Sequence, residues 1–286
     1  MSTPPVLSED GIVESLQAEI AKVDPSQRQR LLEAFILAAI GTIPWIGGFL
    51  SAAATFKFDE VGLKQDSLRT QWLEEHHRKL LALKAALEEI SQRFERLGDT
   101  IDERLQSNEY LGVVRKAFRA WDQADTEEKR RLITNLITHA AGTRICSDDV
   151  LRLFLDWLEL YHETHFAVIM EVSRNPGATR FDIWTEIYGD VPREDSAEAD
   201  LFKMLIRDLS TGSVIRQERD VNQLGQFVRK RPRHVKRGMG APTLKSAFDD
   251  TDQYVLTELG KQFVHYTMNE LVTRLAEPQT DCSPPS

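Results

Sequence analysis

The clearest pattern of apolar and polar positions is a stretch without charge, which runs from Ala34 to Phe56 in a chain where 28% of the residues are charged. A helix of about 20 apolar residues is long enough to cross the core of a bilayer. Pro44 interrupts the stretch, because proline lacks a backbone donor and clashes with the preceding turn. The pattern therefore predicts one of three structures: a kinked single span, a hairpin that inserts into a membrane, or a hairpin buried in the protein's own core.

Membrane insertion is the interpretation that we favour for this stretch. Alanine and glycine accompany aromatic residues in it, as in packed membrane helices. Trp45 lies near the turn, where its ring suits the headgroup layer of a bilayer. We therefore expect a protein of the inner membrane with its other domains on the cytoplasmic side, or a cytoplasmic protein if the stretch is core. The residues expected to enter or line the membrane are Ala34, Phe35, Ile36, Leu37, Ile40, Pro44, Trp45, Ile46, Phe49 and Leu50.

A second pattern repeats every seven residues between Leu73 and Ile101. Its alternating spacings of three and four residues, kept over about four heptads, are typical of a coiled coil. It predicts one long helix, which either packs inside its own subunit or joins subunits into a homo-oligomer. His76 is the polar first member of one row, and we interpret it as a register-setting group. The predicted oligomer seam consists of Leu80, Leu83, Leu87, Ile90, Phe94, Leu97 and Ile101.

Helical spacing dominates the rest of the first half of the chain. Apolar positions between Ile12 and Val23 predict an amphipathic helix. Two helices are expected between Tyr110 and Gly142, where Asp125 and Glu128 fit a capping box. Ser147 or Asp148 then begins another helix, so the middle of the chain is predicted to be a helical bundle.

The last third of the chain mixes helices with β-like runs. Thr179 is expected to cap a helix that ends at Tyr188, and a further helix runs from about Ala197 to Leu209. Three helices, a hairpin, a strand and a final helix form the layout of a winged helix. The predicted β-runs are Val214–Gln217, Gln226–Arg229 and Tyr254–Leu256, and the final helix is expected from Glu258 to Leu275.

A basic segment, Arg216–Arg237, stands out in this region. It contains eight basic and two acidic side chains, which give +6 in a chain of net charge -9. Concentrated positive charge attracts phosphates through counterion release. The segment therefore either contacts the phosphates of a nucleic acid or of lipid headgroups, or is a solvated loop that balances the acidic remainder. The candidate phosphate contacts are Arg229, Lys230, Arg231, Arg233, Lys236 and Arg237.

The helix in the position of a recognition helix has the opposite charge. Between Glu194 and Leu209 there are five acidic and two basic residues. A helix in the major groove faces phosphates on both sides, so an acidic helix is unsuited to ordinary operator reading. If this region binds nucleic acid, we expect the basic segment to make the contacts.

Patterns that carry catalytic or metal chemistry are not found in the sequence. Cys146 and Cys282 do not form a disulfide framework, which fits a reducing compartment. His162 and His165 are three residues apart, unlike the helical pair of zinc proteases, and no third ligand is evident. There is no nucleophile elbow and no P-loop. We therefore expect a protein that is not an enzyme and that needs no cofactor or metal.

Two short motifs carry a resemblance to a known family. Residues 43–48 read IPWIGG within the apolar stretch, and residues 256–264 read LTELGKQFV at the end of the winged-helix layout. With the helical middle between them, they resemble the abortive-infection membrane effectors of bacterial antiphage defence, which include that of the Hailong system. The resemblance implies an oligomeric membrane channel, held closed by an oligonucleotide that a partner nucleotidyltransferase makes.

These patterns together predict a mainly α protein with N-terminal amphipathic and hydrophobic helices, a long coiled-coil-like helix, a helical bundle and a C-terminal winged-helix-like α+β domain. The expected domains are 1–57, 58–158 and 159–277, followed by a tail, 278–286. Our leading hypothesis is an oligomeric membrane channel or pore effector, gated by a ligand at the winged-helix region. The alternatives are a soluble winged-helix DNA-binding regulator and a structural adaptor whose basic segment binds an acidic partner.

Overall fold

The computed structural model describes residues 27–47, 66–219, 224 and 246–269, and these residues form mainly helices with one small antiparallel sheet. This confirms the predicted class, a mainly α protein. The chain divides into two compact units between Asp156 and Trp157. We call the described residues up to Asp156 the helical unit, and those from Trp157 to Asn269 the C-terminal unit.

The described residues of the helical unit are mainly helical, and short turns join its helices from Asp66 onward. A 3₁₀ turn, Gly98–Ile101, follows its longest helix, and its last helix crosses into the C-terminal unit. The helices are α1 (Gln27–Ile40), α2 (Asp66–Leu97), α3 (Asp102–Gln106), α4 (Asn108–Gln123), α5 (Glu127–Gly142) and α6 (Asp148–Leu160).

Short polar residues set the starts of α4 and α5. The hydroxyl of Ser107 accepts a hydrogen bond from the backbone N–H of Tyr110, and the hydroxyl of Thr126 accepts one from Lys129. Each bond satisfies one of the free N–H groups that a helix start exposes. The two helices predicted between Tyr110 and Gly142 are therefore confirmed, but the cap of α5 is Thr126 rather than Asp125.

The apolar stretch contributes to the core of the helical unit. Phe35 of α1 is fully buried, and its ring lies edge-on against Phe94 of α2 and Phe118 of α4, with centroids 5.2 Å and 6.0 Å away. Trp45 donates its indole N–H to a carboxylate oxygen of Asp122 at 2.7 Å. These contacts bury one side of the described part of the stretch in the helical unit, where edge-to-face aromatic pairs add to the free energy of burial.

The prediction of a membrane segment is wrong. Across the ranges that the structure describes, no helix is long and apolar enough to cross a membrane. α1 has 14 residues and ends at Ile40, ahead of Gly41 and Pro44, and at about 1.5 Å per residue it is shorter than the bilayer core. The membrane channel that rests on this segment is contradicted, and inner-membrane localisation is not supported. Eight of the predicted residues belong to the helical unit, namely Ala34, Phe35, Ile36, Leu37, Ile40, Pro44, Trp45 and Ile46, whereas Phe49 and Leu50 lie outside the described residues.

Most of the heptad pattern lies in the long helix α2, which has 32 residues and ends at Leu97, whereas the last member, Ile101, lies in the 3₁₀ turn that follows. Of the predicted seam, Leu83, Leu87, Ile90, Phe94 and Ile101 are buried, and Leu80 and Leu97 are half-buried. Beside the seam, the guanidinium of Arg93 donates to the side chain of Asn135 on α5 at 2.7 Å. Burial within one subunit accounts for the heptad spacing by itself, so self-association through this seam stays a prediction.

The described residues of the C-terminal unit form helices and a three-stranded antiparallel sheet with strand order β1-β3-β2. The two-residue strand β1 is missing from the sequence interpretation, because two residues carry no periodicity. Gln226–Arg229 and the end of the final predicted helix, at Leu275, lie outside the described residues. The elements are α7 (Glu163–Arg174), β1 (Ala178–Thr179), α8 (Arg180–Tyr188), α9 (Ala197–Thr211), β2 (Ile215–Gln217), β3 (Gln253–Leu256) and α10 (Glu258–Thr267).

Helices α8 and α10 begin where the sequence predicts a capping residue. Thr179 and Asp182 form a reciprocal capping box at the start of α8, and Thr257 caps α10 by accepting from the N–H of Gly260. Gly260 also sets how closely α10 approaches β2: a Cβ there would lie 2.1 Å from the carbonyl oxygen of Val214. Only glycine allows this contact, so α10 is fixed against the sheet.

Candidate functional site

The connection between β2 and β3 begins and ends at the same end of the sheet, because the two strands are antiparallel neighbours. Gln217 pairs with Tyr254 at the last position of the ladder. Beyond it, the N–H of Glu218 donates to the carbonyl of Gln253 at 2.7 Å, and the side-chain amide of Gln217 donates to Asp252 at 2.8 Å. The two ends of the connection are therefore held side by side at this end of the sheet.

A carboxylate fixes the returning part of the connection a second time. Glu194, in the loop between α8 and α9, accepts hydrogen bonds from the backbone N–H of Ala247, at 3.0 Å and 3.1 Å to its two oxygens, and from the hydroxyl of Ser246. The bonds from Ala247 and then from Ser246 lower the pKa of the Glu194 carboxyl, because they stabilise its charged form. The carboxylate thus stays ionised at neutral pH and ties residues 246–247 to the α8–α9 loop.

An aromatic cluster adjoins the residues that Glu194 binds. Phe248, which follows the tied residues directly, packs its ring against Trp184 of α8 at 5.2 Å and against Phe202 of α9 at 5.8 Å. Trp184 and Phe202 also meet edge-on at 5.3 Å. All three side chains are buried, so the return of the connection is part of the core that joins α8 to α9.

The six candidate phosphate contacts all lie outside the described residues: Arg229, Lys230, Arg231, Arg233, Lys236 and Arg237. What the structure describes is how the chain is attached on either side of them, at Glu218 before them and at Ser246–Phe248 after them. The described residues of the C-terminal unit contain 16 acidic and 8 basic side chains. The positive charge of the unit is therefore concentrated in the β2–β3 connection.

The two histidines weighed as a metal pair, His162 and His165, have structural partners. The ring nitrogen Nδ1 of His165 accepts a hydrogen bond from the backbone N–H of His162 at 3.2 Å. The ring of His165 stacks on Tyr161, with centroids 5.0 Å apart. In the chain that is described, no group of three potential ligand residues is placed to hold a metal ion.

The helical unit contains a partly buried ion pair that the sequence interpretation misses. Arg104 is 8% exposed, and its guanidinium binds both carboxylate oxygens of Asp148, one of them at 3.0 Å. The same guanidinium donates to the carbonyl of Ala140 at 3.2 Å and lies over the ring of Tyr110. The two charged residues are 44 positions apart, and no spacing rule connects them, so only the fold brings them together.

The ion pair borders an open cavity of about 410 Å³, lined also by Arg144 and Cys146. Arginine and aspartate neutralise each other here, and the bonds from Arg104 hold the pKa of the Asp148 carboxyl below its usual value. The arrangement fastens the start of α6 to α3. We assign it a structural role.

The lowered pKa of Asp148 predicts how the stability of the fold changes in acid. A carboxyl whose folded-state pKa lies below its unfolded value of about 3.9 stabilises the fold above that pH, and the contribution is lost as the pH falls through the folded-state value. Replacing Asp148 with asparagine should therefore lower the free energy of unfolding at neutral pH, and the gap to the wild type should shrink below about pH 4. Urea unfolding of both proteins at a series of pH values measures this, and a gap that is constant down to the acid transition contradicts it.

Comparison of the whole chain with descriptions of protein families, with curated proteins and with solved structures gives no match. The resemblance to antiphage effectors, the homo-oligomer and an oligonucleotide made by a partner enzyme thus stay predictions. Function has to be argued from the geometry and charge of this chain.

Proposed function

We propose that the C-terminal unit is a winged helix that binds duplex DNA through its phosphates, and that the protein is a DNA-binding regulator. The order of elements supports the proposal: helix α7, strand β1, helices α8 and α9, and then the hairpin strands β2 and β3. α8 and α9 take the place of a helix-turn-helix pair, and the β2–β3 connection takes the place of the wing.

The observation that carries the proposal is the position of the basic segment. It begins within β2 and continues into the connection, whose start is held by the sheet and whose return is held by Glu194. A positively charged connection that emerges from a fixed end of a small sheet can contact a phosphate backbone while the helices provide a rigid base. The acidic remainder of the unit makes this connection the part that attracts DNA.

The aromatic cluster supports the same role. Because Phe248 is packed between α8 and α9, the end of the connection cannot move independently of the two helices. Rigid attachment lowers the ordering entropy that a flexible loop loses when it binds.

Salt dependence of DNA binding tests the proposal. The full chain should bind a fluorescent duplex in an anisotropy titration, and six phosphate contacts should weaken binding about a thousandfold between about 50 mM and 200 mM salt. The double variant Arg231→Glu/Arg233→Glu should bind more weakly. Its salt slope, which is the slope of the logarithm of the binding constant against the logarithm of the salt concentration, should be smaller in magnitude by about 2, because each neutralised phosphate contributes about 0.9.

A matched control separates local contact from net charge. Arg78→Glu/Arg131→Glu changes the charge of the chain by the same amount at exposed positions of α2 and α5, and it should leave the salt slope as in the wild type. Equal slopes for all three proteins, or no binding by the wild type at the lower salt concentration, would refute binding through the basic segment.

A further inference from the structure

We infer that Arg180 binds a phosphate of the duplex and that Tyr254 positions it for this contact. The inference rests on the proposed function, and it adds a contact within the described residues to those expected of the basic segment. Arg180 is the first residue of α8, and Tyr254 lies in β3. The two residues are 74 positions apart, so no spacing in the sequence connects them.

Arg180 lies at the end of the sheet where the β2–β3 connection begins and ends. Thr179, the last residue of β1, pairs with Gln253 of β3, and the N–H of Glu218 donates to the carbonyl of the same Gln253. The chain therefore passes from β1 into α8 beside the point where it passes from β2 into the connection. The next backbone N–H of α8 donates to the carbonyl of Asp249 at 3.3 Å, which holds the start of α8 against the returning part of the connection.

A buried tyrosine holds the guanidinium of Arg180 in place. The Nε–H of Arg180 donates to the hydroxyl of Tyr254 at 2.9 Å, and the guanidinium carbon lies over the Tyr254 ring, 5.6 Å from its centroid. Because the bond uses Nε, the two Nη groups remain as a planar fork that matches two oxygens of a phosphate. A long side chain that is already fixed loses less entropy when it binds. Tyr254 itself is 1% exposed, so its effect on a duplex acts through Arg180.

The charge of Arg180 is not neutralised by an ion pair. Within the described ranges, its guanidinium forms a hydrogen bond with Tyr254 and none with a carboxylate. Asp182 accepts hydrogen bonds from Thr179 instead, and Asp249 accepts them from residues of its own turn. Four other basic residues of the unit are paired with carboxylates, namely Arg193, Lys203, Arg207 and Lys261. Arg180 thus keeps the charge and the donors that a phosphate requires.

Binding of a fluorescent duplex by the full chain tests the contact. Arg180→Ala should weaken binding about five- to tenfold at about 0.1 M salt and reduce the magnitude of the salt slope by about 0.9, as for one lost phosphate. Arg180→Lys keeps the charge, so it should keep the salt slope of the wild type while it binds more weakly without the fork. The matched control is Arg207→Ala, which removes the same charge at an exposed arginine 3.5 Å from Asp208, and it should keep the affinity within about twofold of the wild type.

A cycle of single and double variants tests the role of Tyr254. Tyr254→Phe removes the hydroxyl and keeps the buried ring. It should weaken binding about two- to fivefold in the wild type and leave it unchanged in Arg180→Ala, where the guanidinium is absent. A general loss of stability would instead weaken binding equally in both backgrounds, and circular dichroism of each variant checks that it is folded.

The possible failures are distinguishable. The inference is overturned if Arg180→Ala binds as tightly as Arg207→Ala, or if Tyr254→Phe weakens binding equally with and without Arg180. Duplex binding that depends on Arg231 and Arg233 but not on Arg180 overturns the inference alone and leaves the proposed function in place. A wild type that binds no duplex overturns both.

Discussion

Replacing Phe35 with alanine is expected to lower the free energy of unfolding by about 3–5 kcal/mol. The Phe35 ring is fully buried between Phe94 and Phe118, with which it makes edge-on contacts. Alanine would leave a cavity at the junction of α1, α2 and α4, and close-packed neighbours refill such a space only in part. Urea unfolding of the full chain, followed by far-ultraviolet circular dichroism, measures the change.

Leu37 provides the control, because it lies two residues further along α1 and is 70% exposed. Leu37→Ala should change the free energy of unfolding by no more than about 0.5 kcal/mol. Equal effects of the two substitutions would contradict the packing of α1 described above, since a helix without a buried face does not distinguish these positions. The pair of variants therefore tests the correction of the membrane segment directly.

Removing Arg104 is the second substitution with a large expected effect. Arg104→Met should lower the free energy of unfolding by about 2–3 kcal/mol, because it leaves the half-buried carboxylate of Asp148 without its partner. The carbonyl of Ala140 loses a donor at the same time. Thermal and urea unfolding at neutral pH would both report the loss.

The double variant Arg104→Met/Asp148→Leu distinguishes the ion pair from simple packing. When both charges are replaced by apolar groups, the desolvation cost of the pair disappears together with its attraction, so stability should return to within about 1 kcal/mol of the wild type. A double variant that is as unstable as the single one would mean that the packing of Arg104 against Tyr110 and its hydrogen bond to Ala140, rather than the charge pair, stabilise this part of the fold.

Local signals in the sequence predict most of the helices correctly. Thr179, Thr257 and the heptad leucines of α2 act through near neighbours in the chain, and capping and periodicity report on such neighbours. The strand pairing Ile215 to Leu256 joins residues far apart in the chain. It follows from the sequence only as far as the winged-helix layout suggests it.

The apolar stretch shows where local signals become ambiguous. A run rich in alanine, glycine and aromatics satisfies both a bilayer and a protein core, because both exclude water from the backbone. What decides the case here is a set of distant partners, such as Phe118 for Phe35 and Asp122 for Trp45. Nothing in the spacing of the stretch identifies these partners, so the membrane interpretation is wrong for a physical reason.

The same limit applies to the polar clusters. Glu194 looks like one more acid beside an acidic helix, yet the fold uses it to bind Ala247. Arg104 and Asp148 likewise give no sign of their pairing. Acidic and basic residues are common on every surface, and only a tertiary structure shows which of them have partners.

Because the β2–β3 connection is attached at both ends, the stability of the domain should depend little on the length of the connection. Since Glu218 and Ser246 are each bound to the scaffold, we expect residues inserted between them to cost mainly closure entropy, which rises with the logarithm of the length of the connection. Insertions and deletions there should leave α8, α9 and the sheet in place. The length and charge of the connection can therefore change in evolution without a change in the fold that carries it.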